Sequence, residues 1–136
     1  MRVAFASDDE NETTRAVVAA LVEDGHEVIR PDTAESWPDL GRFVGQAVVD
    51  GRADYGVVMC WTGTGTAIAA NKVVGVRAAL AWDPWIARGA RLWNDANVLA
   101  MSLKRLAPDV AVEVLRAFLD VAEPDPDEAA NIAALE

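Results

Sequence analysis

The sequence predicts an α/β protein built on a doubly wound, five-stranded parallel sheet. Short apolar runs alternate five times with longer amphipathic segments along the 136 residues, and this alternation is typical of repeated strand–helix units. One apolar run, Tyr55–Met59, passes through two glycines into an alanine-rich segment. That pattern indicates a buried parallel strand followed directly by a helix. In such a sheet the binding crevice lies at the carboxyl ends of the strands.

The first half of the chain predicts two strands and two helices. A polar exit, Ser7–Asn11, follows the first apolar run and caps the first helix, which ends at Asp24-Gly25. Pro38 opens the second helix after an irregular loop, because proline suits the first helical position. The predicted bounds are Val3–Ser7 and Glu27–Arg30 for the strands, about Asn11 to Glu23 and Pro38–Val49 for the helices, and Pro31–Trp37 for the loop.

The second half predicts three strands, each followed by a helix, and completes a Rossmann- or flavodoxin-like three-layer sandwich. After Tyr55–Met59, the predicted strands are Arg77–Ala81 and Val98–Met101, and the later helices are Pro84–Leu92 and Ala107–Val121. We assign residues 1–122 to one α/β domain. Residues 123–136 are acidic and interrupted by prolines, so we predict an arm outside the core.

The turn after Met59 carries the features of a reactive site. Gly63 and Gly65 tolerate positive φ and let a ligand approach the backbone, while the free N–H groups that open the next helix favour an anion. Cys60 lies beside those donors, where the helix field lowers a thiol pKa. The alternative interpretation of Cys60 is a small buried hydrophobe, because free cysteine is often buried.

Polar residues at the ends of other strands are expected at the same mouth. The strand order along the chain predicts that Asp8 and Asp83 approach Cys60, with Asn94 and Asn97 entering from the loop before the fifth strand. Asp8 has two open interpretations, a helix cap and a site residue.

Composition narrows the classes of partner. A formal net charge of −10 argues against nucleic acid, which requires clustered Lys and Arg. No apolar run approaches the ~20 residues of a membrane span, and the first residues lead straight into a strand rather than a signal peptide. One cysteine fits a reducing cytoplasm. No metal site or cofactor is expected, because a lone Cys and a lone His cannot supply a ligand set.

Several motifs follow one another along the chain. They are Cys60 to Gly65, Ile68–Lys72, Gly75–Ala79, Asp83-Pro84 and Asn94–Leu99, preceded by Ser7-Asp8, Gly25–Val28 and Pro38-Asp39. This series resembles the family of ribose-5-phosphate isomerase B and galactose-6-phosphate isomerase. The resemblance implies proton transfer between adjacent carbons through an enediolate. It implies Cys60 as the base, Thr62 as a hydroxyl near the oxyanion, the N–H groups of Gly63, Thr64 and Gly65 as its binding site, and a homodimer with shared sites.

The chain departs from the resembled family around the sugar. Trp37 replaces the usual tyrosine, Trp61 replaces a glycine, and Trp93 replaces the histidine that opens the sugar ring. Asp9-Glu10 stand where the family has His-Ala, and no basic residue after Arg116 matches the phosphate-binding arginines. These replacements add aromatic surface and remove phosphate-binding groups. The added carboxylates would also repel a phosphate dianion. The residues expected to contact substrate or its anion are Asp8, Asp9, Trp37, Trp61, Gly63, Thr64, Gly65, Trp93 and Asn94.

Three functions remain open from the sequence. The first is a Cys60-dependent isomerase that acts on a non-phosphorylated or more aromatic hydroxy-carbonyl compound. The second is ordinary ribose-5-phosphate isomerisation, with Arg88, Arg91 or Lys104 holding the phosphate. The third is a catalytically silent paralogue that keeps the turn as a small-molecule pocket, because fold alone does not fix function.

Overall fold

The computed structural model describes residues 1–33 and 36–136, so positions 34 and 35 of the predicted loop lie outside the described residues. The strands are β1 (Arg2–Ser7), β2 (Glu27–Ile29), β3 (Tyr55–Cys60), β4 (Ala78–Leu80) and β5 (Val98–Ser102). The α-helices are α1 (Glu12–Glu23), α2 (Trp37–Val49), α3 (Thr64–Asn71), α4 (Pro84–Asn94), α5 (Pro108–Leu119) and α6 (Ala129–Ala133).

The five strands form one parallel sheet in the order β2-β1-β3-β5-β4. This confirms the predicted α/β class and the five-stranded parallel sheet. The direction in which the strands follow one another across the sheet reverses between β1 and β3. The strand β2 lies beyond β1 on one side, and β5 and β4 lie beyond β3 on the other. Ligands bind at such switch points, beyond the carboxyl ends of the strands. Cys60 ends β3 and Ser7 ends β1, and these strands pair directly.

The sheet separates two apolar cores. One face packs against α1, α4 and α5 around the buried side chains of Phe5, Met59 and Phe118. The other packs against α2 and α3 around Val44 and Ala70. The alternation of side chains along β3 explains this division, because successive residues of a strand point to opposite faces. The three layers hold the carboxyl end of β3 in place from both sides.

Val121, just after α5, is buried, and residues 122–136 lie on the domain surface. A short 3-10 helix (Pro126–Glu128) leads into α6, and neither contains a buried residue. The Asp125 N–H donates to the Leu92 carbonyl at 2.7 Å, and Glu136 forms an ion pair with Arg77 at 2.9 Å. These contacts attach the acidic segment to the chain's own α4 and to the residue before β4. Among the described residues, no helix has the length and apolar character needed to cross a membrane.

Candidate active site

Cys60 is the last residue of β3, and its sulfur accepts hydrogen bonds from the turn and helix that follow. The backbone N–H of Gly63 donates to Sγ at 3.1 Å, and the hydroxyl of Thr66 donates at 3.3 Å. The residue is 6% exposed, yet it lines an open cleft at the carboxyl edge of the sheet. The thiol is therefore both held in a defined position and open to a small molecule.

Gly63 makes this arrangement possible. It precedes the first turn of α3 with φ 81°, a left-handed conformation that side chains other than glycine rarely adopt. A Cβ at this position would lie 2.6 Å from Leu80 Cδ1 and 2.8 Å from the Met101 carbonyl carbon. Only glycine fits the turn that brings its N–H onto the sulfur.

The surroundings of Cys60 favour its thiolate. Burial raises the pKa of the thiol, but hydrogen bonds from the Thr66 hydroxyl and from the backbone of Thr66, Gly63 and Thr62 lower it by more. The pKa of Cys60 consequently lies below its ordinary value. Donors that stabilise the charged form favour deprotonation, and a thiolate is the form that can accept a proton from carbon.

The cleft around the sulfur has a volume of about 400 Å³. Its walls come from the loop after β1, the start of α2, and the turn between β3 and α3. The lining residues are Asp8, Trp37, Cys60, Trp61, Thr62, Thr64 and Gly65. The structure therefore brings together seven of the residues that the sequence placed at the site.

Two indoles, those of Trp37 and Trp61, line this cleft. The ring of Trp37 packs on Gly65, where a Cβ would lie 3.0 Å from the indole, so glycine is needed for this close approach. The Trp61 indole is 58% exposed; its N–H donates to the Asp9 carboxylate at 3.3 Å, and Lys104 Nζ lies 4.7 Å from its ring centre. Both rings present apolar surface to an occupant of the cleft.

The expected oxyanion site, formed by the N–H groups of Gly63, Thr64 and Gly65, differs from the expectation in one respect. The N–H of Gly63 is used by Cys60 Sγ, and the N–H of Thr64 donates to Thr62 Oγ1 at 3.3 Å. Among the described residues, the Gly65 N–H has no acceptor, as expected for the first turn of a helix. The hydroxyls of Thr62 and Thr64 lie 2.7 Å apart at the cleft wall. An oxyanion would therefore meet one free amide and two hydroxyls rather than three amides.

Asp8 is a cleft residue and not a helix cap. Asn11 caps α1, because its side chain accepts from the Thr14 N–H and the Thr14 hydroxyl accepts from the Asn11 N–H. This leaves the Asp8 carboxylate facing the cleft. Burial raises the pKa of Asp8, and the neighbouring charge of Asp9 raises it further.

Trp93 and Asn94 lie away from Cys60 within one chain. Trp93 packs edge-to-face on Trp85, with ring centres 5.4 Å apart, and Asn94 lines a separate cavity with Arg77. The expectation that Asn94 and Asn97 enter the same mouth is wrong for a single chain, because α4 returns to the amino edge of the sheet before β5. Asn97 is bound there to Arg77 and Gly75.

The sequence analysis missed two features of the site. Thr66 is fully buried with its hydroxyl at the sulfur; a threonine in the first turn of the helix after the cysteine was the available signal. An adjoining groove of about 410 Å³ is lined by Trp61, Thr62, Lys104 and Arg105. The residues after β5 supply these two cations. Lys104 was already a candidate for phosphate binding, but Arg105 and the groove were not predicted, although the strand bounds place both residues at the carboxyl edge.

The fold and the site define an α/β protein with a cysteine-centred cleft at the switch point of a parallel sheet. The chain belongs to the Ribose/Galactose Isomerase family, which it matches over residues 3–134. It is 39% identical to ribose-5-phosphate isomerase B of Escherichia coli over 107 residues, or 76% of this chain and 72% of that protein.

Other relatives lie in the same family. The chain is 39% identical to D-erythrulose-4-phosphate isomerase of Pectobacterium atrosepticum over 62% of its own length. It spans little more than half the length of a Bacillus subtilis relative and of the Pectobacterium protein, 56% and 55%. The solved structure of Clostridium thermocellum ribose-5-phosphate isomerase B superposes with a TM-score of 0.92 at 33% identity, covering 99% of this chain and 95% of that one.

Proposed function

We propose that this protein is an isomerase that moves a proton between adjacent carbons of a hydroxy-carbonyl compound, with Cys60 as the base. The observation that carries the proposal is the sulfur of lowered pKa on the wall of a cleft that also presents hydroxyls and a free helix N–H. A base beside oxyanion donors is the arrangement that enolisation requires. The names of the relatives, all sugar-phosphate isomerases in the cases given above, support the reaction class.

The reaction proceeds in three balanced proton transfers. The Cys60 thiolate removes the proton from the hydroxyl-bearing carbon, and the electron pair of that C–H bond forms the C=C bond of an enediolate while the carbonyl oxygen becomes an anion. The Thr62 hydroxyl and the Gly65 N–H stabilise this oxygen. A proton then moves from the neighbouring hydroxyl to the anionic oxygen, and the Cys60 thiol returns its proton to the former carbonyl carbon. The thiolate is regenerated.

The finer proposal concerns the substrate. Trp37 and Trp61 supply apolar walls, and the Asp8 and Asp9 carboxylates lie at the same edge, where they would repel a dianion. We therefore propose a non-phosphorylated or aromatic-bearing hydroxy-carbonyl substrate. Trp93 stands where the resembled family has the ring-opening histidine, and an indole cannot exchange the proton that ring opening requires, so we propose a substrate that is already open.

Hydrogen exchange tests the proposal whatever the product of the reaction is. Wild-type protein and the Cys60→Ala and Cys60→Ser variants are incubated in deuterated water with a panel of free and phenyl-substituted 2-hydroxy aldehydes and ketones, and NMR follows the α-hydrogen. We expect exchange in the wild type and none in Cys60→Ala. A Val22→Ala variant, altered at an exposed side chain of α1 outside the cleft, is the control. Undiminished exchange in Cys60→Ala would show that another group is the base. If no member of the panel exchanges, yet the cleft binds one of them, the catalytically silent paralogue is favoured.

A phosphorylated substrate is the second candidate, and the groove beside Trp61 favours it. Arg91 is 2% exposed and bound to Tyr55 and Asp95, so it cannot receive a phosphate. Lys104 and Arg105 instead line the groove that shares Trp61 and Thr62 with the Cys60 cleft. Ribose 5-phosphate and erythrulose 4-phosphate belong in the same panel. A Lys104→Ala variant that raises KM for them about tenfold, while Arg88→Ala does not, would establish this candidate.

We also propose that the protein forms a homodimer whose sites lie near the interface and that it acts in the cytoplasm. The separation of Trp93 and Asn94 from Cys60 within one chain supports the first proposal, since a second copy could bring them to the cleft. The single unpaired cysteine supports a reducing compartment.

A further inference from the structure

Thr66 is a buried residue beside Cys60 that has no role in the reaction described above. It is fully buried in the first turn of α3, and its hydroxyl oxygen lies 3.3 Å from Cys60 Sγ and 3.3 Å from the Gly63 carbonyl oxygen. A hydroxyl has one hydrogen to donate. It can therefore satisfy only one of these two acceptors at a time.

The charge of the sulfur decides between the two acceptors. A neutral thiol is a weak acceptor, so the hydroxyl then favours the Gly63 carbonyl. A thiolate is a charged acceptor, and hydrogen bonds to charged groups are roughly twice as strong as neutral ones. Because the side chain is shielded from solvent, water cannot replace the missing donor if the hydroxyl is removed.

We infer that Thr66 is a positioning residue for the Cys60 thiolate, its hydroxyl hydrogen turning from the Gly63 carbonyl to the sulfur when the thiol loses its proton. This inference rests on the proposed role of Cys60 as the base. It adds a donor that responds to the sulfur's charge, whereas the Gly63 N–H has a fixed direction set by the turn. In the proposed reaction the hydroxyl hydrogen turns to the Gly63 carbonyl when the sulfur takes the proton from carbon, and it turns back to the sulfur when the thiol gives that proton to the product carbon.

Charged groups near the site do not replace this donor. The charged groups in the described segments at this edge of the sheet are Asp8, Asp9 and Glu10 after β1, Arg30 and Asp32 after β2, Asp39 and Arg42 on α2, Asp83 after β4, and Lys104 and Arg105 after β5. Asp39 is paired with Arg42, and Asp83 caps α4 through the Ile86 N–H. The hydrogen bonds to Sγ come from uncharged groups, so removal of the Thr66 hydroxyl should act on the thiol directly.

The single cysteine of the chain allows a direct test. The rate of alkylation by iodoacetamide is measured against pH for wild type, Thr66→Val, Thr66→Ala and Thr66→Ser, with mass spectrometry identifying the product. We expect the two variants without a hydroxyl to raise the apparent thiol pKa by about 1 and to lower the thiolate fraction at neutral pH about tenfold. Thr66→Ser keeps the hydroxyl and should restore the wild-type profile.

A matched control separates this effect from a general loss of stability. Thr13 is also buried, and its hydroxyl donates to the Leu106 carbonyl, so Thr13→Val removes a comparable hydrogen bond away from the site and should leave the thiol profile unchanged. If Thr66→Val fails to fold, Thr66→Ala provides the reading. A wild-type profile in the folded hydroxyl-free variant, or a raised pKa in Thr66→Ser, overturns the inference.

The alkylation measurement does not depend on isomerase activity. Alkylation requires no substrate, so a raised pKa in Thr66→Val supports the inference even if the hydrogen-exchange panel shows no isomerase activity. Conversely, exchange that depends on Cys60 but a pKa that does not depend on Thr66 would support the proposed function and refute the inference. Where a substrate is found, the acidic limb of the kcat profile should move with the thiol.

Discussion

The indole N–H of Trp61 donates to the carboxylate of Asp9 at 3.3 Å. This bond joins the turn after β3 to the loop after β1, and these two strands are neighbours in the sheet. Lys104 covers the ring face 4.7 Å from its centre, so the exposed indole is held between an anion and a cation. The rim of the cleft is thus fixed by a side chain whose position corresponds to glycine in the resembled family.

Replacing Trp61 should change substrate preference. Trp61→Gly removes the indole and frees Lys104 from its cation–π contact, which opens the cleft to the groove and its two cations. We expect kcat/KM for phosphorylated sugars to rise about tenfold and that for aromatic-bearing compounds to fall by a similar factor. Competition assays with both substrate classes measure this change. Trp82→Gly, which removes an exposed indole outside the cleft lining, is the control, and equal effects of the two variants would contradict the prediction.

Gly63 should be far less tolerant of alanine than Gly25. Both have φ near 80°, at 81° and 82°, but a Cβ at position 25 has open space around it whereas one at position 63 meets Leu80 and the Met101 backbone. We expect Gly25→Ala to lower the free energy of unfolding by about 1 kcal/mol and Gly63→Ala to lower it by about 3 kcal/mol or more. Urea titration measures both. Equal losses would show that the clash is relieved without cost.

Stability should depend on pH through Cys60. The native pKa of this thiol is lowered, so between the native and unfolded values the folded chain binds fewer protons than the unfolded chain, and the free energy of unfolding rises with pH. This contribution is complete above the unfolded thiol pKa of about 8.5 and is lost as pH falls through the native pKa. Urea titrations of wild type and Cys60→Ser under reducing conditions should diverge across that window. Parallel curves would contradict the prediction.

Mixed subunits should reveal whether a second copy completes the site. If Asn94 acts on the partner's cleft, Cys60→Ala and Asn94→Ala homodimers are each inactive, but a mixed dimer has one intact site. After unfolding and refolding together in equal amounts, random pairing should recover about one quarter of wild-type exchange activity. Mixing Cys60→Ala with Thr62→Val, whose defects lie in the same cleft, should recover none. Failure of the first mixture to exceed the second would exclude sharing.

Local sequence features predicted most of the fold and the centre of the site. The apolar run of β3, the glycines after Cys60 and the alanine-rich α3 act over a few residues, so their structure follows from nearest-neighbour chemistry. The predicted bounds differ from the structure mainly at the ends, as when β3 extends to Cys60 and α4 to Asn94. Helix and strand ends depend on caps and tertiary contacts that periodicity does not encode.

The remaining features depend on tertiary placement. The position of Asn94 depends on which edge of the sheet the end of α4 reaches. The resemblance of the motif Asn94–Leu99 to the family does not indicate that edge. The contact between Thr66 and the sulfur depends on the rotation of α3 about its axis, which the Gly63 turn and the packing of Trp37 on Gly65 determine. Asp8 had two interpretations in the sequence because Asn11, three residues later, is an equally good cap.

The chain has one cysteine, and it lines the cleft, so its chemical modification reports whether the cleft is occupied. Any compound that enters the cleft covers the sulfur, so it should protect intact protein from the mass increase that a thiol reagent causes. Libraries of metabolites can therefore be screened for occupancy by the fraction of unmodified protein, with no assumption about turnover. A protected thiol would identify a ligand before its chemistry is known.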